Sequence, residues 1–167
     1  MRLLILLVTL GLSTNTLAQN NKELDERNGF KDIKLLSNVT ENSTLEFWKD
    51  QKNKEEHSLY RPIKGSYETI GDVKIHNITI ATYRNLIYEI VVITQKNEEL
   101  FRGLEKAYGK IKYSVGSQVS YWESENVKLT YEPEGKSKVK LTYSAKGINQ
   151  IIATDKKKAI EELSSEF

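Results

Sequence analysis

The 167-residue sequence has no cysteine, two prolines, two histidines and no surplus of either charge, with 25 Lys+Arg against 23 Asp+Glu. Each shortage excludes something. Without Cys there are no thiol nucleophiles, thiolate zinc sites or iron–sulfur clusters. Balanced charge lacks the basic excess of a nucleic-acid binder, and the Lys runs are diluted by Glu55, Glu56, Glu161 and Glu162. Gly and Pro are too scarce for a fibrous or low-complexity chain, and 38% hydrophobic residues are too many for a disordered one. At this length one packed core suffices without disulfides.

Residues 1–18 are expected to form a secretory signal. Arg2 supplies the positive start, residues 3–12 are almost unbroken apolar, and Thr16-Leu17-Ala18 is a small-residue cleavage site. The apolar run is shorter than the ~20 residues of a membrane span, so no stable membrane insertion is expected after cleavage. With no Cys at the cleavage site there is no lipid anchor either. Export without cysteine points to a bacterial periplasmic or extracellular protein, because small domains secreted through an oxidising eukaryotic lumen are commonly cross-linked. Glycosylation sequons at Asn38, Asn42 and Asn77 are attributed to chance in a chain rich in Asn, Ser and Thr. Loss of Arg2 with the signal leaves 24 positive residues against 23 negative.

The rest divides into a flexible N-terminal arm (19–28) and a single α+β domain (29–167). The alternation from Gly29 to Leu35 predicts a first strand, and 40–50 a short helix with Leu45 and Trp48 on its apolar side. Stretch 66–95 is the strongest β signal. Its apolar parity changes between Ile75 and Ile78, as a bulge produces, and Arg84-Asn85 marks a tight turn before the apolar run of 86–94. Leu100, Leu104 and Tyr108 predict a helix over 98–108, stopped by Gly109, with Gly103 placed for close packing. Alternation around Tyr121, Leu129 and Leu141 predicts three more strands, the last two joined by a hairpin at 133–136. A terminal helix is expected over 154–167, with Thr154 as its cap.

An offset of 54 residues maps Ser66-Tyr67 onto Ser120-Tyr121, Val73-Lys74-Ile75 onto Val127-Lys128-Leu129, Phe47 onto Phe101 and Ile87 onto Leu141. Two αβββ units, about 40–95 and 97–146, would share one antiparallel sheet with helices on one face. The opening Gly29 to Leu35, the helix end Tyr108-Gly109-Lys110, the Tyr121-Trp122 strand and the following hairpin resemble small exported bacterial proteins of uncharacterised function. Where that pattern has Gly after Leu35, Leu36-Ser37 stand here. The plan also resembles β-lactamase-inhibitor-type repeats and outer-membrane assembly lipoproteins, and this architectural likeness implies protein binding.

No catalytic constellation emerges. His57 sits in a polar stretch, read as solvated, and His76 on a strand, with no second ligand at metal spacing. There is no nucleophile elbow, phosphate loop or dinucleotide fingerprint. Adjacent acids such as Glu98-Glu99 diverge on a helix and do not face one bond as a glycosidase pair does. No catalytic residue, metal ligand or cofactor is therefore assigned. Tyrosine, at nine residues, is the abundant aromatic. Tyr121 and Trp122 must face opposite sides of the sheet, so one fills the core and the other is free to anchor a partner. Tyr121, Trp122, Tyr131 and Tyr143 are the candidate binding residues, and Trp48 is expected in the core. The expected function is a non-enzymatic exported protein that binds a protein partner, an inhibitor or immunity protein among them. The alternatives are a carrier of a small apolar ligand and a hydrolase with dispersed acids and His57 and His76.

Overall fold

The computed structural model describes residues 16–167, with side chains from Lys22 onward; residues 1–15 of the expected signal lie outside that range. Strand accounts for 44% of the chain and helix for 25%, so the molecule is a sheet protein with three helices added. In order, the elements are α1 (Thr16–Arg27), β1 (Gly29–Phe30), β2 (Ile33–Lys34), β3 (Leu45–Asp50), β4 (His57–Pro62), β5 (Thr69–Ile70), β6 (Val73–Tyr83), β7 (Leu86–Gln95), α2 (Glu98–Tyr108), β8 (Lys112–Ser114), β9 (Val119–Glu123), β10 (Val127–Glu134), β11 (Lys138–Ala145) and α3 (Ile148–Ser164). The main sheet is antiparallel in the order β3-β4-β6-β7-β11-β10-β9-β8, with β5 paired to the start of β6.

That order is palindromic about the β7–β11 pair. Four strands (β3, β4, β6, β7) lie to one side and four (β8 to β11) to the other, each set preceded in the chain by a helix, α1 or α2. The units are therefore αββββ rather than αβββ. The 54-residue offset relates β6 to β10 and β7 to β11, but it fails for Phe47, which is in a strand, against Phe101, which is in a helix. The expected helix over 40–50 is a short 3-10 turn (Val39–Glu41) followed by β3. The spacing of Leu45 and Trp48 imitates a helical face because a β-bulge between Phe47 and Lys49 shifts the parity of the strand.

The 19–28 arm is corrected too. Residues 19–27 belong to α1, whose Leu24 is 1% exposed. One leucine among charged neighbours gives no periodic signal, yet full burial of such a side chain contributes about 1.5–3 kcal/mol. Residues 29–35 are not one strand but a two-residue hairpin, β1 against β2. Gly29 has φ +137°, and a Cβ there would run into the carbonyl oxygen of Ile33, so only glycine closes it. Leu36, at the position where the resembled pattern has Gly, is left-handed with φ +59°. Its N–H donates to Ile87 O at 2.6 Å, which ties the segment to β7.

The β6–β7 region follows its sequence closely. The register slips between Ile75 and Asn77, which places His76 in the bulge. Arg84 and Asn85 both have positive φ, 46° and 67°, as a type I′ turn demands. Helix α2 spans the expected residues. Asn97 Oδ1 accepts from Leu100 N at 2.8 Å at its start, and Gly109 leaves it at φ +83°. Gly103 is exposed with open space where a Cβ would stand, so close packing is not its role. Helix α3 starts at Ile148, before the expected residue 154, and Thr154 is internal, its hydroxyl donating to Gln150 O.

The core lies on one face of the sheet. Ile78, Ile80, Ile90, Val92, Leu129, Leu141 and Trp122 pair across neighbouring strands, so they point the same way. They form one cluster with Leu24 of α1, Leu100 and Leu104 of α2, and Phe30, Ile33, Leu35 and Val39.

Candidate functional site

Alternation divides Tyr121 from Trp122. Trp122 is 2% exposed, its Nε1–H donates to Gly109 O at 2.7 Å, and the rings of Phe101, Tyr108 and Tyr131 surround it. Tyr143 is 3% exposed beside Phe30 and Tyr108, and burial pushes its hydroxyl far above the usual tyrosine range. Tyr131 is half-buried edge-on to Phe101. Trp122 and Tyr143 are thus closed off on the core side by the α2 aromatics and Phe30, while Tyr131, on the same side, keeps part of its surface exposed.

Tyr121 is on the other face. It pairs with Thr130 and Lys112, and Lys128 Nζ sits 4.9 Å from its ring centroid. Cross-strand pairing continues this row through Thr142 to Val91 and Thr79, and the next row through Ser144 to Glu89, Ala81 and Leu59. These side chains are half-buried apart from Ala81, which is fully so. Two carboxylates on this face are engaged, Glu132 with Lys140 at 3.2 Å and Glu123 with Lys146 at 3.1 Å. Lys112 and Lys128, on either side of Tyr121, carry no ion pair among the described residues.

Towards the β3–β4 end this face deepens into a groove of about 430 Å3 lined by Lys49, Gln51, Lys54, Leu59, Tyr88 and Glu89 among others. Burial pushes the Glu89 carboxyl above the usual range, while Lys54 and Lys140 pull it back. Tyr88 accepts from Gln51 Nε2 at 2.9 Å and lies 3.4 Å from His57 Nδ1. His57 is not solvated as its sequence context indicates. It is half-buried with its ring 5.1 Å from Tyr83 and 5.5 Å from Tyr88. Burial, then Lys54 and Lys156, lower its pKa, so it is neutral at pH 7. His76 is exposed in its bulge, on a different part of β6 from His57's partner Tyr83. The sequence signal for the groove was a polar pair, Tyr88-Glu89, inside an apolar strand.

Trp48 is corrected from core to surface, 43% exposed at the edge of the sheet with Lys49 Nζ 4.1 Å from its ring centroid. Among the described residues no group of three or more His, Asp or Glu side chains is arranged to hold a metal ion, and no helix is long and apolar enough to cross a membrane. No family model, curated protein or solved structure matches the chain.

Proposed function

We propose that this protein is an exported, non-enzymatic binding protein that holds a protein partner against the face of the sheet bearing Tyr121. Leu24 of α1 and Leu100 and Leu104 of α2 pack on the opposite face, and the stretch around Tyr121 is left for the partner. The reading rests above all on one observation: Tyr121 is half-exposed on that face, with Lys112 and Lys128 on its flanks and no ion pair to either among the described residues. Tyr is rigid, amphipathic and frequent at the centre of interfaces, and here it stands in a row of small and β-branched side chains, Thr130, Thr142, Val91 and Thr79. The two free ammonium groups favour a partner whose docking surface is acidic. No nucleic acid is invoked, since the chain as a whole has a net charge of only +2.

The test is affinity capture from extract of the exported compartment, with the protein compared against Tyr121→Ala and Lys128→Glu. One stoichiometric protein, lost at least tenfold with either variant and weakened by salt, is the expected result. Capture that is indifferent to both variants sinks the reading. Intact mass of the exported chain tests the signal, the expected first residue being Gln19.

A further inference from the structure

The last two turns of α3 carry a bare apolar stripe. Ile160 is 67% exposed, Leu163 60%, and Phe167, just past the helix, fully exposed. At 100° per residue Ile160 and Leu163 fall within about 60° of each other, Ala153 and Lys156 continue the same line towards the body, and Phe167 follows three residues past the helix end. The inner side of the helix is different. It carries the buried Ile148, and Asp155, which receives Arg84 Nη1 at 3.1 Å. The stripe therefore lies to the side of the surface by which α3 is attached, and nothing among the described residues covers it.

Charge order along α3 decides between two kinds of cover. Lys156, Lys157 and Lys158 precede the stripe's centre, and Glu161, Glu162 and Glu166 follow it. From Asp155 to Phe167 the acids outnumber the lysines by one, which is unsuited to the basic polar face that holds a helix on an anionic membrane. Against a second α3 the same order is self-complementary. Parallel pairing sets Lys on Lys and Glu on Glu, whereas antiparallel pairing sets each basic turn on the other's acidic turn. Lys157–Glu161 at 3.7 Å and Lys158–Glu162 at 3.8 Å are already paired within the helix, but Lys156 and Glu166 carry no ion pair among the described residues. Lys156 lies on the line of the stripe five residues before Glu161, and Glu166 lies five residues after it, just past the helix end at Ser164. An antiparallel pair centred at Glu161 brings them to one level, Lys156 of each copy to Glu166 of the other, with Leu163 against Ala159 and Ile160.

We propose that this stripe docks a second copy of the chain, in an isologous antiparallel α3–α3 contact. A two-fold operation closes such a contact and leaves no open end for further copies. A contact confined to about four turns of one helix buries less than the roughly 800 Å2 per partner of a standard stable interface, so the dimer comes apart on dilution. It is independent of Tyr121 and of the partner proposed for the sheet face.

Sedimentation equilibrium on the full exported chain over a hundredfold concentration range tests this. The expected result is a reversible monomer–dimer equilibrium, weakened at least tenfold by Leu163→Asp and by Ile160→Asp, with far-ultraviolet circular dichroism unchanged because both residues are exposed. A chain with Lys156, Lys157 and Lys158 all changed to Glu, and a second with Glu161, Glu162 and Glu166 all changed to Lys, should each stay monomeric alone and dimerise when mixed. A monomer at every concentration overturns the proposal, as does dimerisation untouched by Leu163→Asp. So does cosedimentation with phosphatidylcholine vesicles that Leu163→Asp abolishes, which would assign the stripe to a membrane.

Discussion

The Ser124 hydroxyl donates to Asp25 Oδ1 at 2.6 Å, joining residues 99 positions apart. The backbone N–H groups of Asn126 and Glu125 donate to the same carboxylate at 3.0 and 3.2 Å. Asp25 thus satisfies the β9–β10 turn from outside it, and α1 is fastened to the second half of the sheet by a side chain as well as by Leu24.

Asp25→Ala should cost about 1–3 kcal/mol in urea unfolding at pH 7, since the variant leaves these donors without their charged acceptor. Burial raises the Asp25 pKa, but the bonds from Ser124, Asn126 and Glu125 together outweigh it and leave the value lowered. Its contribution is therefore present above the ordinary carboxylate range and lost as pH falls through the lowered folded value. The gap between parent and variant should close in strong acid; a gap that is constant with pH contradicts this role.

Glu89→Gln should behave in the opposite sense. With its folded pKa raised by burial, Glu89 holds a proton in the folded state over a window where the unfolded chain has lost it. Stability from this group falls as pH rises through that window and remains lower above it. Thermal melts should show the variant more stable than the parent at pH 8 and equal to it at pH 4 or below.

Two glycines should respond oppositely to alanine. Gly29→Ala forces a Cβ into Ile33 O at φ +137° and should cost at least about 2 kcal/mol. Gly103→Ala, on the exposed side of α2 with open space around it, should add about 0.5–1 kcal/mol. Chemical denaturation of the two variants measures both.

The two tryptophans should separate in fluorescence. Trp48 is exposed at the sheet edge and Trp122 buried under α2. In Trp48→Phe the remaining emission should be blue-shifted and resist acrylamide, and in Trp122→Phe it should be red-shifted and readily quenched. The second variant should also lose about 1 kcal/mol with its bond to Gly109 O.

How much of this was legible depended on the range over which each signal operates. The Arg84-Asn85 turn, the His76 bulge and α2 with its Gly109 end are all encoded within a few residues, and the sequence displays them. Strand β3 was hidden because its bulge at Trp48 turns a period of two into something resembling three or four. Helix α1 was hidden because its anchor Asp25 acts on residues about a hundred positions away, and Leu24 stands alone among charged neighbours. Of the candidate site, the sequence established only that Tyr121 and Trp122 face opposite ways. Which of them is buried depended on where α2 lands, and the Glu89 groove required β3, β4, β6 and β7 to be side by side.

By itself the sequence determined what the absences imply: no thiol chemistry, no disulfides and no charge excess, in a chain whose stability comes from packing one apolar face of a sheet. Those properties follow from composition and local alternation, which need no third dimension. Only the tertiary structure decided that the strands are palindromic about β7 and β11, that Tyr121 rather than Trp122 meets the solvent, and that Ile160 and Leu163 of an amphipathic helix stay uncovered. Each of these is set by which distant surfaces meet, and pairing at long range leaves no period in the chain to read.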